Sequence, residues 1–498
     1  MGQYTCNKNT QLLNNYAAYN YFVKNNVIID RKEELAFLNG LYNSNRAELI
    51  ILYGRRRIGK TFLLNHFSET RNAIYYLATK ESETVQAREL SNRIAKFYKD
   101  DALSINPFSS YSQIFEYLAK KTIARTLLII DEFGYIMETS PYISSVLQKY
   151  WDEGMNQSKI FIILNGSIIA VMESLLSIKN SLYGRRTGQW HMKVLSFVEF
   201  YDFLKSKEFT DIAQCWALTG GIIFYAKEFM DYKSIKEFVM KTFFNRGHAF
   251  YEEGRIIVSD EFGETQTYFS ILSGIAKGIT KSNDLSNFIG IKNTSLSSYM
   301  RSLIEIGFVE RIVPVTDPEN SKKTRYFIKD NFLRFWFSFV YPNKNLVEIN
   351  KFYEIENDIK KRFPVFMGRA FEMLVRENVG EFINMNFDKI GTWWGRNPEK
   401  PKGFNEEEID IVAINNKTGN ILFAECKWTN SDVGTGVYSD LKRKSKLVQW
   451  HNDSRKEYYA IFSKSGFTDE MKKVAGEEDT RLFDLREMEN TIAGGDSS

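Results

Sequence analysis

Leu49-Ile-Ile-Leu-Tyr53-Gly54-Arg-Arg-Arg-Ile-Gly59-Lys60-Thr61-Phe-Leu-Leu64 is the stretch on which the reading of this chain turns. The apolar run Leu49–Tyr53 is short enough for a buried strand. It meets a glycine, then four residues, then Gly59-Lys60-Thr61 and the apolar start of a helix. This is G-x-x-x-x-G-K-[ST] between strand and helix, and its physical sense is anion binding. Gly54 and Gly59 let the backbone turn so that successive N–H groups and the helix N-terminus point at one phosphate. Lys60 adds a movable positive charge, and Thr61 adds a hydroxyl for a phosphate-bound Mg²⁺. The expected nucleotide contacts are therefore Gly54, Arg55, Arg56, Arg57, Ile58, Gly59, Lys60, Thr61 and Phe62. A chance glycine-rich turn is the competing reading, and the strand ahead of the loop argues against it.

A second stretch supplies acids. Thr126-Leu-Leu-Ile-Ile-Asp131-Glu132-Phe133 is an apolar strand ending in two carboxylates, and a strand buried on both faces carries its functional groups at its C-terminal edge. Asp131 is expected to hold Mg²⁺ through water, and Glu132 to orient or deprotonate the attacking water. A third strand, Lys159–Leu164, ends at Asn165-Gly166-Ser167. Asn165 is read either as a contact to the γ-phosphate or attacking water, or as part of a helix start capped at Ser167. Tyr183-Gly184-Arg185-Arg186-Thr187 puts two arginines on a glycine turn. Arg185 is the candidate for stabilising transition-state charge, from the same or a neighbouring subunit, and a solvated surface arginine is the other reading. Ala73–Leu77 reads as a further strand, followed by a polar helix with Glu83, Arg88 and Arg93. Asp30 reads as the cap of a helix carrying Leu35 and Leu38 ahead of the loop. Strands and helices alternate, so the sheet is expected to be parallel.

Length and composition bound the rest. At 498 residues the chain is too long for one core, and 43% hydrophobic residues with only 8 prolines describe ordinary soluble domains. A net charge of +4 does not by itself imply nucleic acid. Cys6, Cys215 and Cys426 lie too far apart for a CxxC motif, which suits a reducing cytoplasm. The longest apolar candidate, Ile160–Met172, is broken by Asn165, Gly166 and Ser167, so no membrane span is expected. Residues 1–26 are rich in Asn, Gln and Tyr without the cationic start and apolar core of a signal peptide, and they read as an extension.

Gly54–Thr61 as GRRRIGKT, Leu127–Phe133 as LLIIDEF, Gly166-Ser167, Tyr183–Thr187 as YGRRT and Gly220-Gly221 resemble the archaeal-type ATPase family, a prokaryotic branch of P-loop ATPases close to the AAA+ and STAND groups. The resemblance runs from about Val27 to the C-terminus. It implies an α/β fold: a parallel-sheet P-loop ATPase domain (27–195) with a helical lid (196–263), then a winged helix-turn-helix (264–329). An aromatic connector (330–360) and an α/β restriction-nuclease-like domain (361–498) complete it. One departure is visible. Where the family's lid reads Gly-Gly-Val-Pro, this chain has Gly220-Gly221-Ile222-Ile223.

Between Thr267 and Lys329 the pattern is three helices, the third Thr294–Ile304, and then strands Phe308–Val315 and Thr324–Ile328, the order of a helix-turn-helix with a wing. Nine Lys and Arg against five Asp and Glu give this segment a surplus of four, equal to that of the whole chain. A third helix exposing Asn293, Ser295, Ser298, Tyr299, Arg301 and Ser302 suits a DNA groove, with the wing Ser321–Arg325 on phosphates. Docking to protein is the other use of such a module. Asp330–Tyr341 (DNFLRFWFSFVY) reads as a packing helix ended by Pro342.

Further on, Glu408 and Asp410 share one face of a strand, Glu425 and Lys427 share one face of the next, and Glu372 lies on the helix Gly368–Val375. Asp410, Glu425 and Glu372 are the expected ligands of a second Mg²⁺ or Mn²⁺, with Lys427 aiding attack on a phosphodiester. Asp410 with Glu425-x-Lys427 is similar to the PD-(D/E)xK nuclease signature. A solvated hairpin with ordinary salt bridges is the plain alternative. Lys442–Lys446 (KRKSK) reads as a basic run beginning a helix, either tracking a phosphate backbone or facing solvent. The expectation for the chain is an ATP-binding and ATP-hydrolysing protein acting on DNA, with metal-dependent cleavage in the C-terminal domain and a homo-oligomer if Arg185 acts between subunits. A nucleotide-dependent switch or scaffold that recognises without cutting is the alternative, and a third reading makes the rear domains protein-interaction modules.

Overall fold

The computed structural model describes residues 31–494, so the extension over 1–26 and the Asp30 cap lie outside the described residues. The chain falls into two compact units. The first runs to Leu195 and includes Ile222–Phe224, and the second comprises Ser196–Gly221 and Tyr225 onward.

In the first unit β1 (Glu48–Tyr53), β2 (Ala73–Leu77), β3 (Thr126–Asp131), β4 (Ile160–Gly166) and β5 (Gly188–His191) form one sheet in the order β2-β3-β4-β1-β5, all parallel. Every residue of β1, β3 and β4 is buried, which is why they read as apolar runs: both faces of the inner strands are covered. Parallel pairing brings the strand ends to one edge. Leu52 stands beside Asn165, Tyr53 beside Gly166 and Leu77 beside Asp131, so the phosphate loop and the β3 acids emerge together. β4 runs on through Asn165 and Gly166, and the next helix begins only at Ile169, with Ile168 as its N-cap and no side-chain cap. Reading Ser167 as a helix cap is therefore wrong.

The second unit opens with helices Phe197–Leu204, Phe209–Thr219, Ile235–Thr242 and Ala249–Glu261, whose Phe197, Phe200, Phe238 and Phe250 are buried. Ser196 and Glu199 form a reciprocal capping box at the first. Helices Gln266–Ala276, Ser282–Ile289 and Asn293–Glu305 then precede an antiparallel hairpin of β6 (Val309–Ile312) and β7 (Arg325–Ile328). β6 is shorter than the sequence predicts, because Pro314 cannot donate to a ladder.

Pro342 does not end the aromatic helix. Asn331–Phe335 passes through a π-helical turn, Trp336–Val340, into Tyr341–Glu348, with Pro342 in the first turn, where an amide hydrogen is dispensable. Phe332, Phe335, Trp336 and Phe339 are buried, as a packing role requires. The 32-residue helix Phe352–Ile383 then spans the expected Gly368–Val375.

The second sheet comprises β8 (Lys389–Arg396), β9 (Glu406–Asn415), β10 (Asn420–Lys427), β11 (Lys456–Ser463) and β12 (Thr480–Asp484) in the order β12-β11-β10-β9-β8. β8, β9 and β10 pair antiparallel; β10, β11 and β12 pair parallel. Ile409, Val412, Ile421, Phe423 and Ile461 form its core with Leu441 and Val448. The basic run Lys442–Lys446 closes the helix Thr435–Ser445 instead of opening one, so its charges stand where carbonyls of the last turn favour cations. Among the described residues no helix is long and apolar enough to cross a membrane.

Candidate functional site

The loop after β1 folds as it does because two glycines permit it. Gly59 has φ +96° and caps the helix Lys60–Ser68, and a Cβ on Gly54 would stand 2.3 Å from the Met192 carbonyl oxygen. Arg57 is also left-handed, at φ +67°. The buried Lys60 ammonium donates to the carbonyls of Gly54 (2.6 Å) and Arg55 (2.8 Å). Ile58 is buried, and its carbonyl accepts from Arg31 at 3.0 Å. Arg56 donates to the Tyr135 hydroxyl at 3.0 Å, Arg57 lies 4.3 Å over the Phe224 ring, and Phe62 is half-buried.

Asp131, fully buried at the end of β3, is the hub. Its Oδ2 accepts from the Thr61 hydroxyl at 2.9 Å and the Tyr75 hydroxyl at 2.6 Å. Its Oδ1 accepts from the Glu132 amide at 2.9 Å and from the Asn165 side-chain amide. Asn165 is fully buried as well, and its side-chain oxygen has no hydrogen-bond partner. Glu132 sits at φ +54° ahead of the helix Phe133–Thr139, and its carboxylate accepts from the Ser167 hydroxyl at 2.7 Å. Burial, with the adjoining charge of Asp131, pushes the Tyr75 hydroxyl well above the ordinary phenol range, so it stays a donor. Arg185 is not part of this group. Its partners are Asp152, at 3.0 and 3.3 Å, and the Tyr183 carbonyl.

The second unit gathers the other predicted acids. Lys427 Nζ lies 2.5 Å from Glu425 Oε2 and 3.7 Å from Asp410, while Lys444 reaches Glu425 Oε1 at 3.0 Å and Asp440 at 3.0 Å. Asp410 also accepts the Cys426 amide at 2.9 Å. Glu372 is drawn aside to Arg369, at 2.9 Å. Burial, then the charges of Glu425 and Glu372, push the Asp410 carboxyl well above its usual range. Burial works against the Lys427 ammonium, yet Asp410 and Glu425 together raise its pKa. Among the described residues no group of three or more His, Cys, Asp and Glu side chains is disposed to hold a metal ion. Of the expected set Glu372, Asp410 and Glu425, Glu425 has a lysine on each oxygen and Glu372 has Arg369 on one.

Several of the predicted bases are also committed to acids. Arg443 grips the buried Glu407 at 2.8 and 3.2 Å, and Lys442 pairs with Glu478 at 2.5 Å. In β7, Arg325 bridges Glu406 and Glu408, the latter at 2.6 Å, and lies 4.4 Å over Trp394. Arg325 is thus not among the free bases of a wing. On the helix Asn293–Glu305, Asn293, Ser295, Ser298 and Arg301 are exposed, while Tyr299 and Ser302 are half-buried.

The sequence reading missed Tyr75, Ser167 as the partner of Glu132, Glu407 and Lys444. Alternation in AIYYL puts Tyr75 on one face with Leu77, but only the folded sheet shows that Leu77 pairs with Asp131.

The model of an "ATPase domain predominantly from Archaea" matches residues 28–229, and that of "Archaea bacterial proteins of unknown function" matches residues 336–441. An uncharacterized protein of Methanocaldococcus jannaschii is 35% identical over 481 residues, covering 93% of this chain and 100% of that protein. An uncharacterized ATP-binding protein of the same organism is 56% identical over 45 residues, 9% of this chain and 76% of that protein. Among solved structures, a Walker-type ATPase of Pyrococcus abyssi is similar with a TM-score of 0.49 and 18% identity, covering 62% of this chain and 96% of that one. With the phosphate loop, its lysine and the strand-end acids on one sheet edge, the chain belongs to the archaeal-type P-loop ATPase family, and its first unit is an ATP-binding ATPase domain.

Proposed function

We propose that the loop Gly54–Thr61 encloses the triphosphate of ATP, with Lys60 on its outer phosphates and Glu132 orienting the attacking water. The observation that carries this is the Thr61–Asp131 hydrogen bond of 2.9 Å at the end of the central strands. A hydroxyl and a carboxylate are the hard oxygen donors Mg²⁺ takes. They stand beside an unpartnered buried oxygen of Asn165. Thr61 and Asp131 would therefore hold the ion, which on binding neutralises phosphate charge. Asn165 faces the attacking water or γ-phosphate, and Arg185 enters only if Asp152 releases it.

For the second unit the reading is a winged helix (264–329) joined by the connector 330–360 to a PD-(D/E)xK-like domain (361–498), with DNA as the substrate class. The exposed Asn293, Ser295, Ser298 and Arg301 support groove contact. Asp410, Glu425 and Lys427 lie close enough to act on one phosphodiester. A specific observation favours the non-cleaving switch as second reading: both oxygens of Glu425 are bound by lysines. The test is a pair of variants. Lys60→Ala is expected to abolish ATP binding by calorimetry and turnover, while Asp410→Ala spares both and removes whatever DNA cleavage the wild-type protein shows. Loss of ATP binding in Asp410→Ala would refute separate sites, and wild-type protein that cuts no DNA with Mn²⁺ and ATP leaves the switch.

A further inference from the structure

Asp131 already holds as many donors as a carboxylate accommodates. Its two oxygens offer about four lone-pair sites. The Thr61 and Tyr75 hydroxyls, the Glu132 amide and the Asn165 amide engage them. A water carried by a bound cation needs one of these sites, so one donor must yield. The Glu132 amide is backbone. The Thr61 hydroxyl would keep its proton on Asp131 while its lone pair held a cation. Asn165 aims its unpartnered oxygen through the same amide that grips Asp131. Tyr75 has no such second task. Its hydroxyl comes from the neighbouring strand β2, two residues before the Leu77–Asp131 pair, and Arg93 holds its backbone carbonyl at 2.9 Å.

We propose that Tyr75 is a positioning residue for the ATPase reaction, its hydroxyl taking an acceptor site of Asp131 that a water carried by Mg²⁺ would need. It competes with the ion for one acceptor site of the carboxylate. The proposal rests on the reading of Asp131 as a magnesium ligand. Removing the hydroxyl while keeping the ring opens a lone pair and removes a donor that offsets the charge of Asp131. Cation affinity then rises.

The test uses the full chain with a non-hydrolysable ATP analogue and Mn²⁺ as the spectroscopic probe. Tyr75→Phe is expected to lower the Mn²⁺ dissociation constant, read by electron paramagnetic resonance, by about three- to tenfold, the worth of one hydrogen bond. Tyr75→Leu, which also lacks the hydroxyl, must show the same gain. Tyr76→Phe is the matched control, since the Tyr76 hydroxyl is buried without a partner, and it leaves Mn²⁺ affinity unchanged. Unchanged or weakened Mn²⁺ binding in both Tyr75 variants overturns the assignment. Asp131→Asn reports on the underlying reading: Mn²⁺ binding untouched by that change defeats Asp131 as a ligand. Loss in Asp131→Asn without gain in the Tyr75 variants defeats Tyr75 alone.

Discussion

Glu132 occupies a backbone conformation that few side chains adopt, φ +54°, one residue past the end of β3. That turn moves its carboxylate off the line of Asp131 and onto the Ser167 hydroxyl, so two adjacent acids face different partners. Glu132→Gln keeps the shape and removes the base. Turnover is expected to fall by about 10²–10⁴-fold, with ATP affinity by calorimetry unchanged; turnover within threefold of wild type would dismiss Glu132 as the base. At this scale the phosphate loop was legible, because phosphate binding dictates both residue type and spacing at Gly54, Gly59, Lys60 and Thr61. Tyr75 was not. Its partner lies on another strand, and nothing local says that β2 pairs with β3 so that a hydroxyl reaches Asp131.

The helix Thr435–Ser445 and the strand β9 show how an element can hide its charge. Hydrogen bonds from Arg443, opposed by burial and joined by those from Lys400 and Asn397, hold the Glu407 carboxyl down from 4.5 to about 2. A carboxylate with a depressed pKa stabilises the fold above its unfolded value, and that share is lost as pH falls through the folded one. Stability of the second unit is therefore expected to drop as pH is lowered from 4.5 toward 2. Glu407→Gln flattens that part of the curve, as urea unfolding across the range would record. An equal slope in both proteins would show that the grip of Arg443 contributes nothing. KRKSK was readable as basic and helical, but not its fate. The partners Glu407, Glu425 and Glu478 come from a strand before it, another strand and a helix end after it, and only the folded sheet assembles them.

Each unit shows a different degree of legibility at the scale of the whole molecule. The first was readable almost strand by strand, since a parallel sheet buried on both faces leaves unbroken apolar runs. The second was readable as an order of elements, yet its charge was misjudged. The surplus of four positive charges between Thr267 and Lys329 is partly neutralised by Glu406 and Glu408, some eighty residues on, through Arg325 and Lys281. Arg325→Ala is expected to destabilise this unit by about 1–2 kcal/mol, between surface and buried ion-pair values, and to change the fluorescence of Trp394, which loses the guanidinium 4.4 Å from its ring. Denaturation superimposable on wild type would show that the clamp is idle. The wide turn at Trp336–Val340 carries an evolutionary consequence. One added residue rotates everything downstream by about a hundred degrees about the helix axis, which changes the face that every later side chain presents. A relative lacking the insertion should align with a single-residue gap in this turn.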